Sequence, residues 1–207
     1  MTKKVVLFVS RNKDNVNVEG FKSRKYAFLA DIDQHNLKET FRRFVDDGVM
    51  GEASRFYVSV NTPDMGKVKK ALLTKLINED DVDLTNLNRI VTSLSAKEEN
   101  ALDHNWLFDI DTVNPVTIAE ILNDLMFAIK TSLGDSYDPV THKTYYTDTP
   151  NGFAYVTTFH FDARSVLAKW GDVVTLKKGA FLFMDMKVKG EEEEDEVEKV
   201  GDDETDE

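Results

Sequence analysis

The segment Trp106-Leu107-Phe108-Asp109-Ile110-Asp111-Thr112 constrains this chain more tightly than any other. Three large apolar residues in a row suit a buried strand, yet two aspartates one residue apart close it. In an extended strand residues i and i+2 share a face, so Asp109 and Asp111 stand side by side. Like charges at that spacing are costly unless a cation, a proton or basic side chains neutralise them. A hard divalent ion is one such neutraliser, because Mg²⁺ takes carboxylate oxygens and keeps waters that a phosphate can replace. The alternative is a strand whose end dips into solvent, with its aspartates capping the next helix.

A length of 207 residues with 41% hydrophobic residues suits one domain with a real core. The expected organisation is a single α+β domain over residues 1–190, with an N-terminal α/β part (1–102) and a motif-bearing core (103–190). The chain has no cysteine, which excludes disulfides, thiolate zinc sites and a cysteine nucleophile. No apolar run approaches the roughly 20 residues of a membrane helix. The opening Met1-Thr2-Lys3-Lys4-Val5-Val6-Leu7-Phe8-Val9 lacks a small-residue cleavage site and reads as a first strand rather than a signal peptide. A soluble, cytoplasmic protein is the expectation.

The formal charge of −12 is misleading until it is located. Twelve of the 38 acidic residues, with a single lysine, lie between Glu191 and Glu207, so the body is nearly neutral and the acidity is a tail. A run such as Glu191-Glu192-Glu193-Glu194-Asp195-Glu196 cannot bury apolar area to offset its chain entropy, which predicts disorder. The tail either solubilises the protein or mimics a nucleic acid, docking on a basic protein partner or on the body's own basic groove.

Elsewhere strands and helices alternate. Val5–Val9 reads as a strand, Asn12–Lys25 as a loop or ragged hairpin, and Leu37, Phe41, Phe44 and Val45 mark one face of a helix. Arg55–Val60 is a strong strand, and Thr62-Pro63 looks like a helix start with threonine as cap. Helical patterns follow over about Leu84–Ala101 and from Ile118 to Ile129. In the last third, Thr144–Thr147 and Phe153–Phe161 flank the turn signal Thr149-Pro150-Asn151-Gly152. Val166–Trp170 is a short helix, and Val173–Leu176 with Phe181–Met186 suggests a closing hairpin. Helices flanking a largely antiparallel sheet define an α+β class.

The pair Asp31 and Asp33 sits directly before an amphipathic helix and is assigned to capping. Asp109 and Asp111 are different: Asn114 or Thr112 can cap the helix that begins at Pro115, which leaves both aspartates without a structural task. Three motifs then occur in order: Leu107-Phe108-Asp109-Ile110-Asp111, Thr149-Pro150-Asn151-Gly152-Phe153 and Phe183-Met184-Asp185-Met186-Lys187. This series resembles the three-motif layout of the archaeo-eukaryotic primase (primase-polymerase) superfamily. The resemblance implies a modified RNA-recognition-like α+β core, and small members with a T-P-N-G-type turn look like products of tailed phages acting in DNA replication in the host cytoplasm. By that resemblance Asp109, Asp111 and Asp185 would be catalytic and hold two Mg²⁺ or Mn²⁺ ions for nucleotidyl transfer. Thr149, Asn151, Gly152 and Lys187 would bind the nucleotide, with a nucleoside triphosphate and single-stranded nucleic acid as partners.

The sequence departs from that family at one telling place. Its second motif carries a histidine shortly after the glycine, where this chain has Ala154. His160 shares strand parity with Ala154 but lies about 20 Å further along an extended chain, and an ordinary hydrogen-bond partner is expected for it. His35, His104 and His142 show no metal-ligand spacing. Lys22, Arg24 and Lys25 interleave with Phe21, Tyr26 and Phe28, which suits either a solvated face or single-stranded nucleic acid. Lys177-Lys178 marks a turn.

Overall fold

The structure, a computed structural model, describes residues 3–191. Within them eight strands form two antiparallel four-stranded sheets flanked by helices, the α+β class read from the sequence. The proposed disorder and docking of the acidic tail concern residues that lie, from 192 on, outside the described residues. No helix among the described residues is long and apolar enough to cross a membrane.

The first sheet has the order β2-β1-β3-β8. Its strands are β1 (Lys3–Ser10), β2 (Arg24–Asp31), β3 (Ala53–Ser59) and β8 (Phe181–Val188). Alternation turns Val6 and Phe8 to one face, where they meet Phe41 and Val45 of helix α1 (Leu37–Asp46). Phe8 is ringed by Phe28, Phe41, Phe44 and Phe56 at centroid distances of 5.1 to 5.7 Å. Such pairs each stabilise by about 0.5–1.5 kcal/mol beyond simple burial. Arg24 serves this core: it grips the buried Glu52 through Nε at 2.9 Å and lies 4.4 Å over the Phe44 ring. One of the cations in the basic–aromatic stretch is therefore structural.

The second sheet has the order β5-β6-β4-β7. It comprises β4 (Trp106–Ile110), β5 (Thr144–Thr149), β6 (Gly152–Thr157) and β7 (Val174–Lys178). Phe108 and Ile110 of β4, with Phe153 and Tyr155 of β6, face helix α4 (Pro115–Leu133) and pack on Ile121, Leu125 and Ile129; Val166 of α5 (Arg164–Trp170) completes the cluster. The opposite face presents Leu107, Ala154 and Val156, which cluster with Val60, Ala180 and Leu182 and join the two sheets. Asp109 follows Leu107 on that joining face.

Several local expectations change. Helix α1 is capped by Asn36, whose side chain accepts from Glu39 N, and not by Asp31 or Asp33. Asp31 instead holds the preceding turn, accepting from Asp33 N and His35 N. Helix α2 (Met65–Asn78) starts later than Thr62-Pro63 and is capped by Asp64, because Asp103 occupies both the amide and the hydroxyl of Thr62. Helix α3 (Leu87–Ser95) is shorter than the pattern from Leu84 to Ala101, which ends in 3₁₀ turns on both sides. Helix α4 is capped by Asn114, one of the two residues, with Thr112, read as able to do so.

The closing hairpin is the largest correction. β7 pairs with β4 and β8 pairs with β3, so these consecutive strands belong to different sheets. Gly179, at φ +60°, turns the chain across between them. The C-terminal strand thus completes the N-terminal sheet, and the chain crosses back over the division expected near residue 102.

Candidate functional site

A cleft of about 210 Å³ lies where the two sheets meet. Its N-terminal wall carries Arg11, Lys13, Arg55 and Tyr57, and its other wall carries Leu107, Asp109, Asp111, Ala154 and Lys177. Phe181 and Phe183 of β8 and the turn residues Thr149, Pro150 and Asn151 complete the lining. A larger hollow of about 420 Å³ lies between α1 and the end of β8. One of its cations, Lys189, already serves the fold by donating to Asp46 O and Gly48 O at 2.5 and 2.7 Å, so the smaller cleft is the stronger candidate.

The structure brings Asp109 and Asp111 to one side of β4, as alternation requires. Asp111 lies just past the strand, and its amide donates to Val173 O at 2.9 Å. The charge of Asp109 is met by a basic side chain. Lys177 of β7 stands opposite Leu107 and reaches diagonally to the Asp109 carboxylate, forming an ion pair. Of the ways to neutralise two adjacent carboxylates, the fold itself supplies an ammonium.

The turn Thr149–Gly152 is seated against these aspartates by a glycine. Pro150 and Asn151 are the two loop residues between β5 and β6, which pair from Thr149 opposite Gly152. A Cβ on Gly152 would lie 1.9 Å from Ile110 O and 2.8 Å from Thr112 N. Only a residue without a side chain lets the turn lie on the end of β4. Gly152 therefore acts through this close approach, while Thr149 and Asn151 reach the cleft.

Asp185 and Lys187 are placed elsewhere, and the cause is a β-bulge. Tyr57 pairs with Phe183 but Phe56 pairs with Asp185, so Met184 is the extra residue. An extra residue inverts the alternation that follows. Phe183 shares the cleft face with Tyr57, whereas Asp185, half-buried, falls on the side of Phe56. The Asp185 carboxylate accepts from Met186 N at 2.8 Å. Lys187 pairs with Ser54 and lines the larger hollow. Plain alternation along 181, 183 and 185 would have put Asp185 in the cleft; the bulge is invisible in the sequence.

The N-terminal wall was not singled out from the sequence. A 3₁₀ turn, Asn12–Asp14, follows β1. Buried Asn15 pins it to β3, donating to Arg11 O and Ala53 O and accepting from Ala53 N. Asp14 then accepts from Arg11 Nε at 2.6 Å and from Arg55 Nη2 at 2.7 Å. Burial alone would raise the Asp14 carboxyl, but the bonds from Arg11 and Arg55 prevail and hold it below the usual carboxylate range. Arg55 is only 7% exposed, and its Nε is buried without a hydrogen-bond partner. The available signal was Arg55 itself, the one charged residue of β3.

The histidines stay out of the cleft. His160 stacks on Trp106 at 4.6 Å and bonds His104 O through Nε2. Its position at the far end of β4 from Asp109 matches the ordinary role expected for it. His142 bonds within its own turn, to Asp138. Ala154 pairs directly opposite Asp109, so the place beside the aspartate has no ionisable group from β6.

Among the described residues no group of three or more His, Asp or Glu side chains is arranged to hold a metal ion. Asp185, paired opposite Phe56, does not join Asp109 and Asp111 in lining the cleft. Asp109 and Asp111 remain a pair suited to one hard ion shared with a phosphate. No protein-family model, curated protein or solved structure matches this chain.

Proposed function

We propose that the cleft binds the phosphate-bearing part of a nucleotide or of single-stranded nucleic acid, as in a divergent primase-polymerase-like protein of phage replication. The observation that carries this reading is convergence. Two separate sequence motifs, the Asp109/Asp111 pair and the Thr149–Gly152 turn, meet in one cleft with four cationic side chains and three aromatic ones. Arg11, Lys13, Arg55 and Lys177 supply charge for phosphate oxygens, and arginine forks suit them particularly. Tyr57 and Phe183, packed edge to face at 5.8 Å, offer ring surface for a base.

Asp109 and Asp111 are the residues that would hold Mg²⁺ or Mn²⁺, and such an ion would neutralise phosphate charge there. Lys177 now fills part of that role, so an ion entering has to displace an ammonium from Asp109. The absence of a side-chain base or donor at Ala154, with Asp185 on the far face, favours binding over nucleotidyl transfer.

The test is calorimetry with a nucleoside triphosphate and fluorescence anisotropy with a labelled oligo-dT, each with and without Mn²⁺. Wild type is expected to bind, and Asp109→Asn/Asp111→Asn to lose the metal-dependent part. Wild type that binds neither ligand under either condition overturns the reading.

A further inference from the structure

The feature least explained by packing is the Arg11–Asp14–Arg55 cluster. A buried arginine is costly unless paired and fully hydrogen-bonded. Here one carboxylate, Asp14, is shared by two guanidinium groups, while Lys13 adds a further cation to the same wall. The Asp14 side chain is only 8% exposed and that of Arg55 9%. The cluster thus holds more positive charge than its single acid neutralises, and it strands a buried N–H on Arg55. Unsatisfied donors of this kind are rare in native proteins and mark strain, function or an absent partner.

Fixation is the second observation. Asn15 clamps the turn to β3 through two hydrogen bonds with Ala53 and a third to Arg11 O within the turn, and Asp14 holds both guanidinium groups on that frame. Arg11 keeps 39% of its side chain exposed and Lys13 is exposed. Preorganised donors gain more from an incoming anion than mobile surface cations do, because little ordering remains to be done. Across the cleft Lys177 pairs with Asp109 and leaves the aspartate wall one net negative charge from Asp111, so the two walls differ in sign and give a bound ligand a direction.

We infer that Arg11, Lys13 and Arg55, positioned by Asp14 and Asn15, form a phosphate subsite on the N-terminal wall of the cleft. Its ligand is a polyphosphate group, carried by a nucleotide or free as inorganic tripolyphosphate. The inference rests on the phosphate-binding reading of the cleft but assigns the contact to residues outside both sequence motifs. Lys177 belongs to the aspartate wall and is not part of the subsite.

Calorimetry with sodium tripolyphosphate and with a nucleoside triphosphate tests it, on the full chain without divalent ions. The variants are Arg11→Gln/Lys13→Gln, which changes accessible side chains, and Arg55→Lys, which keeps the charge but loses the fork. Both are expected to weaken tripolyphosphate binding about tenfold or more, as loss of a charge-assisted hydrogen bond implies. Unchanged melting of Arg11→Gln/Lys13→Gln shows that the fold survives. Wild type that ignores tripolyphosphate, or a double variant that binds it equally well, overturns the subsite. Nucleotide binding that persists in the double variant removes the subsite and leaves the functional proposal standing. Tripolyphosphate bound while the nucleoside triphosphate and oligo-dT are both ignored removes the functional proposal and leaves the subsite.

Discussion

Gly152→Ala is the sharpest test of how the two motifs meet. The new methyl would sit 1.9 Å from Ile110 O and 2.9 Å from Thr112 O, all backbone atoms that cannot rotate away. Ordinary contact needs about 3.5 Å, so the β5–β6 turn and the end of β4 must separate by about 1.5 Å. The affected pairs are Ile110 with Phe153 and Asp109 with Ala154, in the part of the sheet that backs onto α4. Overpacking of this kind costs about 3 kcal/mol, the upper part of the usual range. For a chain of this size each kcal/mol lowers Tm by about 2–4 °C, so a fall of about 6–12 °C is expected. Differential scanning fluorimetry reads that number. Hydrogen exchange should show faster opening of the Ile110 to Thr112 and Phe153 amides while β1 stays protected. A melting point within about 1 °C of wild type would refute the seating of the turn on β4, and with it the account of how the motifs are brought together.

Three further outcomes follow from the same geometry. Lys177→Met removes the ammonium from Asp109; Mn²⁺ affinity measured by calorimetry should rise severalfold, while stability changes by no more than about 1 kcal/mol for a partly exposed pair, and unchanged Mn²⁺ affinity would show that Lys177 does not neutralise the site. Arg24→Met strands the Glu52 carboxylate, now 2% exposed, and should lose about 3 kcal/mol in urea unfolding, whereas a loss under about 1 kcal/mol would make the pair a surface one. Despite burial, which alone would raise them, Asp14 and Glu52 lie below their ordinary values, held there for Glu52 by Ser10, Val49 N–H and Arg24. A lowered folded-state pKa stabilises above the unfolded value and is lost as pH falls through the folded one, so Tm should decline below about pH 4.5 and decline less steeply in Glu52→Gln; equal slopes would refute the assignment.

What could be read from the sequence was what periodicity controls. The apolar stripes at Leu37–Val45 and Ile118–Ile129 gave helices because burial on one face rewards them wherever they pack. The strand at Trp106 and the turn at Thr149 were marked by residue types that leave few conformations. The side of the strand on which Asp109 stands was also legible, since alternation has no exceptions over five residues. Asp185 was not, because one unpaired residue at Met184 reverses everything after it and no residue type at that position announces a bulge. The pairing of β7 and β8 with different sheets was equally hidden. Lys177-Lys178-Gly179-Ala180 is as good a hairpin turn as it is a crossover, and only long-range packing of Ala180 and Leu182 on Val60 and Leu107 decides. The Arg11–Asp14–Arg55 cluster joins residues 41 positions apart, a separation that local patterns do not report.

The crossover at Gly179 also explains why the cleft exists at all. Lys177 stands on one wall and Phe181 on the other, so the chain ties the two walls together within four residues at that end. At the other end Gly152 brings the β5–β6 turn down onto β4, and between them Leu107, Ala154 and Val156 pack on Val60. Both sheets contribute small or aliphatic side chains at the contact and charged ones beside it. The apolar cluster fixes how far apart the sheets sit, and the charged residues beside it inherit that spacing without having to attract one another. This arrangement lets like charges accumulate on the N-terminal wall, since sheet contact is secured by burial and does not depend on their neutralisation. It follows that enlarging the contact, as in Ala154→Leu, should disturb polyphosphate binding as strongly as removing Arg55. Such a variant changes the distance between walls while leaving every charged residue in place, so tripolyphosphate affinity equal to wild type in a folded Ala154→Leu protein would show that the walls do not act together.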